Sequence, residues 1–292
     1  MKNDKLYKKV LLISAIVYIL LGLLFLPKVF SGEVIVNPII LKIGSLQIRW
    51  YGLLIASGVF LSFYLATDTA KKWNFNENEL SNAVILGVVF SIIGARLYYV
   101  IFNWDIYSKM PSEIFKTWHG GMAIHGGIIG ALLSVYIYTK LKKNISFTFL
   151  QGLDLMAHVL PLGQSIGRWG NFFNYEAYGS PTNLPWKMYV PKEFRMPGYE
   201  SYEYFHPTFL YESIWDLVIF LFLFYYARNN KKFDGEIISL YLILYSLGRG
   251  WIELLRTDSL MFLGMKVAVL ISIFFVVFGI ILYVSIKRKM EV

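Results

Sequence analysis

Long apolar runs without an ionised side chain constrain this chain more than any other feature. A helix needs about 20 apolar residues to cross the hydrocarbon core of a bilayer, or roughly 17 at the short end. Four uncharged runs reach that length: Val10–Pro27, Trp50–Thr67, Gly120–Thr139 and Val267–Ile286. The 292 residues are 57% hydrophobic and 16% charged, whereas about a quarter of a soluble domain is charged. The sequence therefore predicts an all-α polytopic membrane protein.

The pattern of apolar segments predicts about eight transmembrane helices. The predicted spans are 10–27, 51–68, 82–103, 120–139, 147–166, 208–227, 237–255 and 266–286. Lys and Arg form short clusters before the first span and after every second span, as the positive-inside rule predicts for cytoplasmic segments. These inner clusters lie in residues 2–9, 71–72, 140–143, 228–232 and 287–289. Both termini are therefore predicted to be cytoplasmic, and the net charge of +9 indicates topology rather than a surface for nucleic acid.

The predicted membrane domain comprises residues 32–292. One unusual segment precedes this domain, and another lies within it. Residues 1–31 are interpreted as an extra N-terminal span or signal anchor, with a signal peptide cleaved near Ser31 as the alternative. Residues 168–207 hold five of the nine prolines and many aromatic residues, which favours a small irregular cap at the outer surface. The chain has no cysteine, so it can form no disulfide and carries no thiol nucleophile of its own.

Charged side chains within spans are costly and normally face a cavity or a partner. Arg249, Glu253 and Arg256 are spaced by four and three residues, so a helix places them within about 60° on one face. They form either a functional site or a structural ion pair between helices. Arg96 lies beside a stripe of small residues, Gly87, Ser91 and Ala95, that permits close helix packing. We interpret Arg96 as either a phosphate ligand or a counter-ion.

Histidine and glycine residues open the fourth predicted span. His125 lies between two Gly pairs in the segment 118–127. Glycine lets another group approach closely, and histidine serves as a base near neutral pH. His125 is therefore either a residue that meets substrate or a satisfied core histidine. His119 lies nearer to water and is the weaker candidate.

The segment 167–179 is the most densely polar, and it holds Arg168, Asn171, Asn174 and Glu176. Arginine can hold a phosphate through two hydrogen bonds, and asparagine adds neutral donors. The alternative is an ordinary polar loop that caps a helix.

Two further polar segments are ambiguous. We favour a structural interpretation of residues 206–213, because Thr208 is typical of a helix start with Glu212 in its first turns. His206 and Glu212 remain possible contributors to chemistry. In Arg49-Trp50-Tyr51-Gly52, the aromatic residues fit either a site or interfacial anchors.

Together, these motifs resemble the prolipoprotein diacylglyceryl transferase family. Residues 167–179 match its signature Gly-Arg-x-Gly-Asn-Phe-x-Asn-x-Glu-x-x-Gly at every fixed position, including Gly179. His125-Gly126-Gly127, Arg249-x-x-x-Glu253-x-x-Arg256 and residues 49–52 match three further motifs, in the family's order, from about residue 37 to 287. The family usually has seven spans, so the extra first span is a departure that leaves the remaining spans in the family's orientation.

The resemblance implies transfer of diacylglyceryl from phosphatidylglycerol to the lipobox cysteine of a preprolipoprotein. A thioether would form and glycerol phosphate would leave. His125, Arg168 and Arg249 are the implied catalytic residues. The implied substrate-binding residues are Tyr51, Arg96, Asn171, Glu176, Gly179, Glu253 and Arg256. We expect no cofactor and no metal, because the four histidines are not at paired ligand spacing.

Two other classes of membrane protein remain as alternatives. Charges within the membrane also mark the ion pathways of transporters, although the sequence has no inverted repeat of the kind that favours one. A transferase with a polyprenyl-phosphate donor would typically have a metal-binding acidic motif, which we do not find in the sequence.

Overall fold

A computed structural model describes residues 22, 24–44, 46–117 and 120–291 of the chain. The chain divides into two compact units. The first unit comprises Met1–Ser62, Leu160–Phe222 and Ser239–Ser285. The second comprises Phe63–Val159, Leu223–Ile238 and Ile286–Val292. Three long helices, Trp50–Lys72, Thr208–Asn229 and Val267–Glu291, begin in the first unit and end in the second.

Helices dominate both units. The long helices are α1 (Trp50–Lys72), α2 (Glu77–Phe102), α3 (Ile124–Leu141), α4 (Phe149–Ala157), α5 (Leu160–Asn174), α6 (Thr208–Asn229), α7 (Glu236–Leu255) and α8 (Val267–Glu291). Residues 24–30 are also helical. Short helical turns occupy Trp104–Tyr107, Pro111–Phe115 and Lys192–Phe194.

The described strands are short and form three two-stranded antiparallel sheets, and Phe205 also bridges to Pro181. The antiparallel pairs are β1 (Ile39–Ile43) with β2 (Leu46–Arg49), β3 (Met188–Tyr189) with β4 (Tyr204–Phe205), and β5 (Met261–Phe262) with β6 (Met265–Lys266). The first pair has an irregularity in register between Ile39 and Leu41.

Six of the described helices, α1, α2, α3, α6, α7 and the Val267–Met290 part of α8, are long and apolar enough to cross a membrane. They coincide with the predicted spans 51–68, 82–103, 120–139, 208–227, 237–255 and 266–286. The prediction of a mainly helical, multi-spanning membrane protein is confirmed. Most of the predicted first span, 10–27, lies outside the described residues.

The predicted span 147–166 is not one continuous helix. Helix α4 begins at a capping box formed by Thr148 and Gln151 and ends at Ala157. Helix α5 begins at Leu160 and continues to Asn174. The interruption precedes Pro161, which has no N–H to donate to the carbonyl four residues earlier. A count of apolar residues does not detect this break, because proline hardly changes the mean hydropathy of the segment.

The predicted cap starts later than its assigned residue 168, because residues 168–174 complete α5. The irregular segment that follows packs on its own apolar core in the first unit. Val29, Phe172, Tyr178 and Phe205 are fully buried in that core. The Tyr175 hydroxyl accepts a hydrogen bond from the Val36 backbone at 2.8 Å. Residues 29–36 therefore pack with the cap.

In the second unit, α2 and α3 pack closely along small residues. A Cβ atom on Gly127 would lie 3.0 Å from the Ser91 hydroxyl and 3.6 Å from the Ala95 methyl group. The predicted stripe of small residues on α2 therefore faces α3, as expected. A second cluster of the same unit buries Ala70, Phe75 and Leu155.

Candidate active site

Glycines let α1 and α5 approach each other closely within the first unit. A Cβ atom on Gly58 would lie 3.1 Å from the Gly163 carbonyl oxygen, and one on Gly170 would lie 2.5 Å from the Tyr51 ring. Only glycine leaves room for these contacts. The ring of Trp50 stacks on Phe173 at 4.8 Å between centroids. The early aromatic motif is thereby held against the polar segment of α5.

A single carboxylate of α6 joins two arginines of the predicted site. Glu212 Oε2 lies 2.8 Å from Arg168 Nε of α5, and its Oε1 accepts a hydrogen bond from Arg249 Nη1 of α7. Helices α6 and α7 approach closely here because Gly248 leaves space for the Trp215 indole, which donates to the Leu244 carbonyl at 3.0 Å. The structure therefore brings Arg168 and Arg249 together, as the sequence analysis expected, but through a residue that it had favoured as structural.

The trio on α7 forms the predicted face. Arg249 Nη2 contacts Glu253 Oε2, and Arg256 Nε lies 3.8 Å from the same oxygen. Arg256 also donates to both carboxylate oxygens of Asp258, at 2.9 and 2.7 Å. Burial disfavours the charge of Asp258, but the hydrogen bonds and charge of Arg256 outweigh burial and hold the pKa of this carboxyl below its usual value. Arg256 is thus a paired cation at the end of the helix.

The two arginines of this network are more exposed than the carboxylates that they contact. The side chains of Glu212 and Glu253 are 6% and 3% exposed, whereas those of Arg168 and Arg249 are 21% and 18% exposed. The carboxylates thus lie behind the guanidinium groups. An anion that reaches the open side meets the arginines first, with donors already oriented by the acids behind them.

Behind these ion pairs lies a second polar layer that the sequence analysis did not identify. Asp216 is 2% exposed, and its Oδ2 has no hydrogen-bond partner among the described residues. Its charge interacts with those of Arg168, Glu212 and Arg249. Tyr245 of α7 also interacts electrostatically with Arg168. The sequence does contain an indication of this layer, because Glu212 and Asp216 are acidic residues one turn apart within an apolar span.

Asn171 and Glu176 contact each other at the end of α5. Asn171 Nδ2 donates to Glu176 Oε1 at 2.8 Å, and Asn174 Nδ2 approaches the same oxygen at 3.3 Å. Two residues with positive φ, Tyr175 at 52° and Ala177 at 58°, turn the chain into the cap. The polar signature therefore folds back on itself at the entrance to the cap.

Gly179 occupies a place where no side chain fits. A Cβ atom there would lie 2.7 Å from His206 Cβ and 3.0 Å from the Leu255 carbonyl oxygen. The Gly179 N–H donates to the His206 carbonyl at 2.9 Å, and Gly179 forms a β-bridge with Arg256. Its contacts explain the glycine by packing alone. Nearby, burial lowers the pKa of His206, whose Nδ1 lies 3.2 Å from the Tyr211 hydroxyl.

His125 lies in the first turn of α3, within the second unit. Its side chain is exposed, and its ring lies 6.0 Å from the Tyr98 ring. Neither ring nitrogen has a hydrogen-bond partner in the part of the chain that the structure describes. His125 is thus not a satisfied core histidine, and both nitrogens are available to another molecule.

Arg96 is buried and organises the segment that leads to His125. Its guanidinium donates to the carbonyls of Ile114, Gly120 and Gly121 at 2.8, 2.6 and 2.8 Å, and also to that of Glu113. Gly121 has φ of 78°, and a Cβ atom on it would lie 2.7 Å from Arg96 Nη1. The sequence predicts either a phosphate ligand or a counter-ion at Arg96. The structure instead gives Arg96 carbonyl partners, which no sequence motif indicates.

The fold and the site define the class of this protein: a multi-spanning α-helical membrane protein with a buried network of arginines and carboxylates. A family model described as prolipoprotein diacylglyceryl transferase matches residues 38–285. The chain belongs to this family. The resemblance stated from the motifs is confirmed, and so is the prediction that the protein is a transferase.

Three relatives that share one name align with most of the chain. All are named phosphatidylglycerol–prolipoprotein diacylglyceryl transferase. The one from Fervidobacterium nodosum is 52% identical over 284 residues, covering 96% of this chain and 97% of the relative. Those from Thermotoga petrophila and Trichormus variabilis are each 50% identical, covering 92% and 81% of this chain and 91% and 85% of the relative.

Proposed function

We propose that this protein transfers the diacylglyceryl group of phosphatidylglycerol to the lipobox cysteine of preprolipoproteins. Membership of the family and about 50% identity to relatives named for this reaction support the assignment. The structural observation that carries it is the pair of arginines, Arg168 and Arg249, joined by Glu212 beneath them. Two oriented guanidinium groups form a suitable site for a phosphodiester.

The reaction has a simple balance of bonds. The cysteine thiol of the acceptor loses its proton, and the resulting thiolate attacks the glyceryl carbon that is esterified to phosphate. A carbon–sulfur bond forms while the carbon–oxygen bond to phosphate breaks. The electron pair of that bond goes to the phosphate oxygen, and glycerol phosphate leaves. Negative charge therefore grows on the phosphate, where Arg168 and Arg249 stabilise it in a site of low dielectric constant.

In this scheme, Glu212 and Glu253 are positioning residues. Each carboxylate contacts at least one of the two arginines and is itself buried. Removing one partner of a buried ion pair typically costs about 3–5 kcal/mol, because the other charge is left uncompensated. The acids thus fix the guanidinium rotamers before the lipid arrives. Arg256, bound by Asp258 at the helix end, guides the headgroup rather than the reacting phosphate.

On the acceptor side, we assign the proton-accepting role to His125. A free thiol has a pKa of about 8.5, so a base is needed to form the thiolate nucleophile at neutral pH. The imidazole of His125 is exposed and has no hydrogen-bond partner among the described residues, which supports this role. The alternative role, orientation of the lipid headgroup, uses the same free nitrogens. Arg96 positions this histidine by fixing the carbonyls of the segment before α3.

The remaining predicted substrate-binding residues receive narrower roles. Tyr51 contacts lipid from its place on Gly170, because the residue is 39% exposed. Asn171 and Glu176 shape the end of α5 beside Arg168, and each keeps polar atoms outside their mutual hydrogen bond that can contact the headgroup. Gly179 allows the cap to cross the end of α7.

For the topology, we propose eight membrane crossings in the cytoplasmic membrane, with both termini inside and the arginine site towards the outer leaflet. The segment made of α4 and α5 counts as one interrupted crossing, and the N-terminal segment as another. The inner clusters of Lys and Arg support this orientation. We further propose that residues 1–31 are retained, because Val29 is fully buried in the core of the cap.

A cell-free assay tests the function directly. The purified full chain is mixed with phosphatidylglycerol labelled in its acyl chains and a peptide that carries a lipobox cysteine. We expect the label to move to the peptide, with release of glycerol phosphate, and no transfer to a peptide with Ala in place of the cysteine. Transfer only from a polyprenyl-phosphate donor, or to neither peptide, would contradict the proposal.

A further inference from the structure

A charged cavity lies in the second unit, among residues that the proposed reaction does not use. Its volume is about 350 Å³, within the range typical of small-ligand sites. Three cations line it: Arg228, Lys231 and Lys232. The remaining lining residues are Trp73, Phe75, Gln151, Ala227, Asn229, Phe233 and Asp234. Cations, amides and aromatic rings thus converge on one concave surface, together with the Asp234 carboxylate, which pairs with Lys231 at 3.0 Å.

The cavity lies at the ends of two membrane-spanning helices. Helix α1 ends at Lys72, immediately before Trp73, and α6 ends at Asn229, immediately after Arg228. Lys231 Nζ lies 4.2 Å from the centroid of the Trp73 ring, within the range of a cation–π contact. Tryptophan prefers the boundary between lipid and water. The cavity therefore lies at the level of lipid headgroups.

Two buried carboxylates hold the cationic loop in place. Asp154 is fully buried, accepts the N–H groups of Gly235 and Ile238 at 2.7 and 2.9 Å, and pairs with Lys231 at 3.0 Å. Glu236 accepts the Lys232 N–H at 2.6 Å. A buried ion pair is weak evidence for stability, but here it fixes a cation in the wall of a cavity. The loop is thus rigid before any ligand arrives.

The cations retain unused donors. Both hydrogen bonds of Arg228 use Nη1, to Asp68 at 2.6 Å and to Thr69 at 3.2 Å. In the described part of the chain, no acceptor contacts its Nε and Nη2. Lys232 Nζ likewise has no partner within the described residues, and its side chain is exposed. An anion at the cavity could accept from both residues at once.

Three other lysines near the ends of the described spans have different surroundings. Lys71 pairs with Glu77 at 3.3 Å, and Lys142 pairs with Glu79 at 3.0 Å. Lys140 contacts the Tyr136 ring at 5.8 Å. None of these three lysines lines the charged cavity. Lys142 lines a different cavity, whose other lining residues are mainly apolar. The positive-inside rule accounts for these clusters, but it does not account for a concave site with free donors.

We infer that this cavity binds the phosphate-bearing headgroup of an anionic phospholipid, separately from the donor lipid of the transfer reaction. Basic pockets between membrane helices recognise such headgroups by charge and hydrogen bonding. The assignment to the cytoplasmic leaflet rests on the proposed topology, whereas the binding chemistry does not. Arg228 and Lys232 are the phosphate donors, and Lys231 supplies a fixed charge beside Trp73.

A fluorescent probe at the cavity tests this inference. Because the chain has no native cysteine, Asn229→Cys gives a single labelling position on the cavity wall. The labelled full chain is placed in phosphatidylcholine nanodiscs with increasing fractions of phosphatidylglycerol. We expect a saturating change in emission. Lys232→Glu should weaken the apparent affinity by at least about tenfold. Each basic residue near an anionic surface contributes about fivefold, and this substitution both removes a positive charge and adds a negative one.

A matched variant and a soluble ligand make the test specific. Lys140→Glu makes the same change in charge at an exposed lysine outside the cavity, and it should alter the affinity less than about threefold. Inorganic phosphate is titrated into discs of pure phosphatidylcholine. No response to phosphate supports a lipid headgroup, whereas an equal response would overturn the assignment to lipid. Equal responses of Lys232→Glu and the unsubstituted chain would overturn the site itself.

Transfer activity separates this inference from the proposed function. Lys232→Glu should keep turnover with labelled phosphatidylglycerol and the lipobox peptide within about twofold of the unsubstituted chain, because the arginine network is unchanged. An inactive protein that still shows the saturating response would defeat the proposed function and leave the cavity assignment intact. An active protein without the response would do the reverse.

Discussion

Glu212 Oε2 lies 2.8 Å from Arg168 Nε, and the acid is the more deeply buried of the two side chains. This contact joins α5 to α6, and through Arg249 the same carboxylate reaches α7. Glu212 thus helps to orient both guanidinium groups, and Glu253 gives Arg249 a second carboxylate partner.

Glu212→Gln should impair transfer strongly. The amide keeps the shape of the side chain but removes the charge that orients both arginines, so we expect turnover to fall by about 10²-fold, the cost of roughly 3 kcal/mol. Turnover and the melting temperature are measured on the same preparations. The control is Glu77→Gln, whose carboxylate forms an exposed pair with Lys71 at 3.3 Å and should have little effect. Full activity of Glu212→Gln would show that the acid does not position the arginines.

Arg168→Lys and Arg249→Lys should each lower turnover by more than about tenfold while the protein still inserts and purifies. Lysine keeps the charge but loses the planar fork that holds a phosphate and a carboxylate together. Steady-state assays with labelled phosphatidylglycerol measure the effect. The matched control, Arg288→Lys, makes the same change near the end of α8, in the second unit and outside the arginine network. Near-normal turnover of both site variants would mean that charge alone suffices.

His125→Ala should show a changed pH dependence. At pH 7 we expect a loss of about 10²–10⁴-fold, the usual contribution of a general base. As pH rises towards the thiol pKa of about 8.5, the thiolate forms without help, so activity should recover in part. The measurement is kcat/KM for the peptide between pH 6.5 and about 9. An unchanged pH profile with weaker lipid binding would assign His125 to headgroup orientation instead.

Single cysteines should report the orientation. Lys143 and Lys192 are both exposed, and the chain has no native cysteine. In intact cells, a membrane-impermeant maleimide should label Lys192→Cys and leave Lys143→Cys unlabelled until the cells are opened. The reverse pattern would place the cap in the cytoplasm and the arginine site on the wrong side of the membrane for exported substrates.

Hydropathy predicted six of the helices well, because a span is a property of local composition that needs no knowledge of partners. The break before Pro161 was missed, since one residue decides it while the average over the window does not change. The trio on α7 was placed on one face because its spacing alone fixes the geometry.

Partners across helices were beyond the sequence. Glu212 has an ordinary position for the start of a helix, and only the contact of α6 with α5 and α7 shows that it joins two arginines. Arg96 is buried, but its hydrogen-bond partners are backbone carbonyls rather than a phosphate or a carboxylate. Backbone groups leave no mark in the sequence, so such a partner could not be predicted from side chains.

The central claim is that Arg168 and Arg249 together hold the phosphate of the donor lipid. An experimental structure of the full chain with bound phosphatidylglycerol tests it most directly. We predict phosphate oxygens within hydrogen-bond distance of both guanidinium groups, at about 2.7–3.2 Å, with Glu212 still in contact with at least one of them. A phosphate more than about 4 Å from both arginines, with no bridging water, would contradict the claim and leave the network as a structural ion pair.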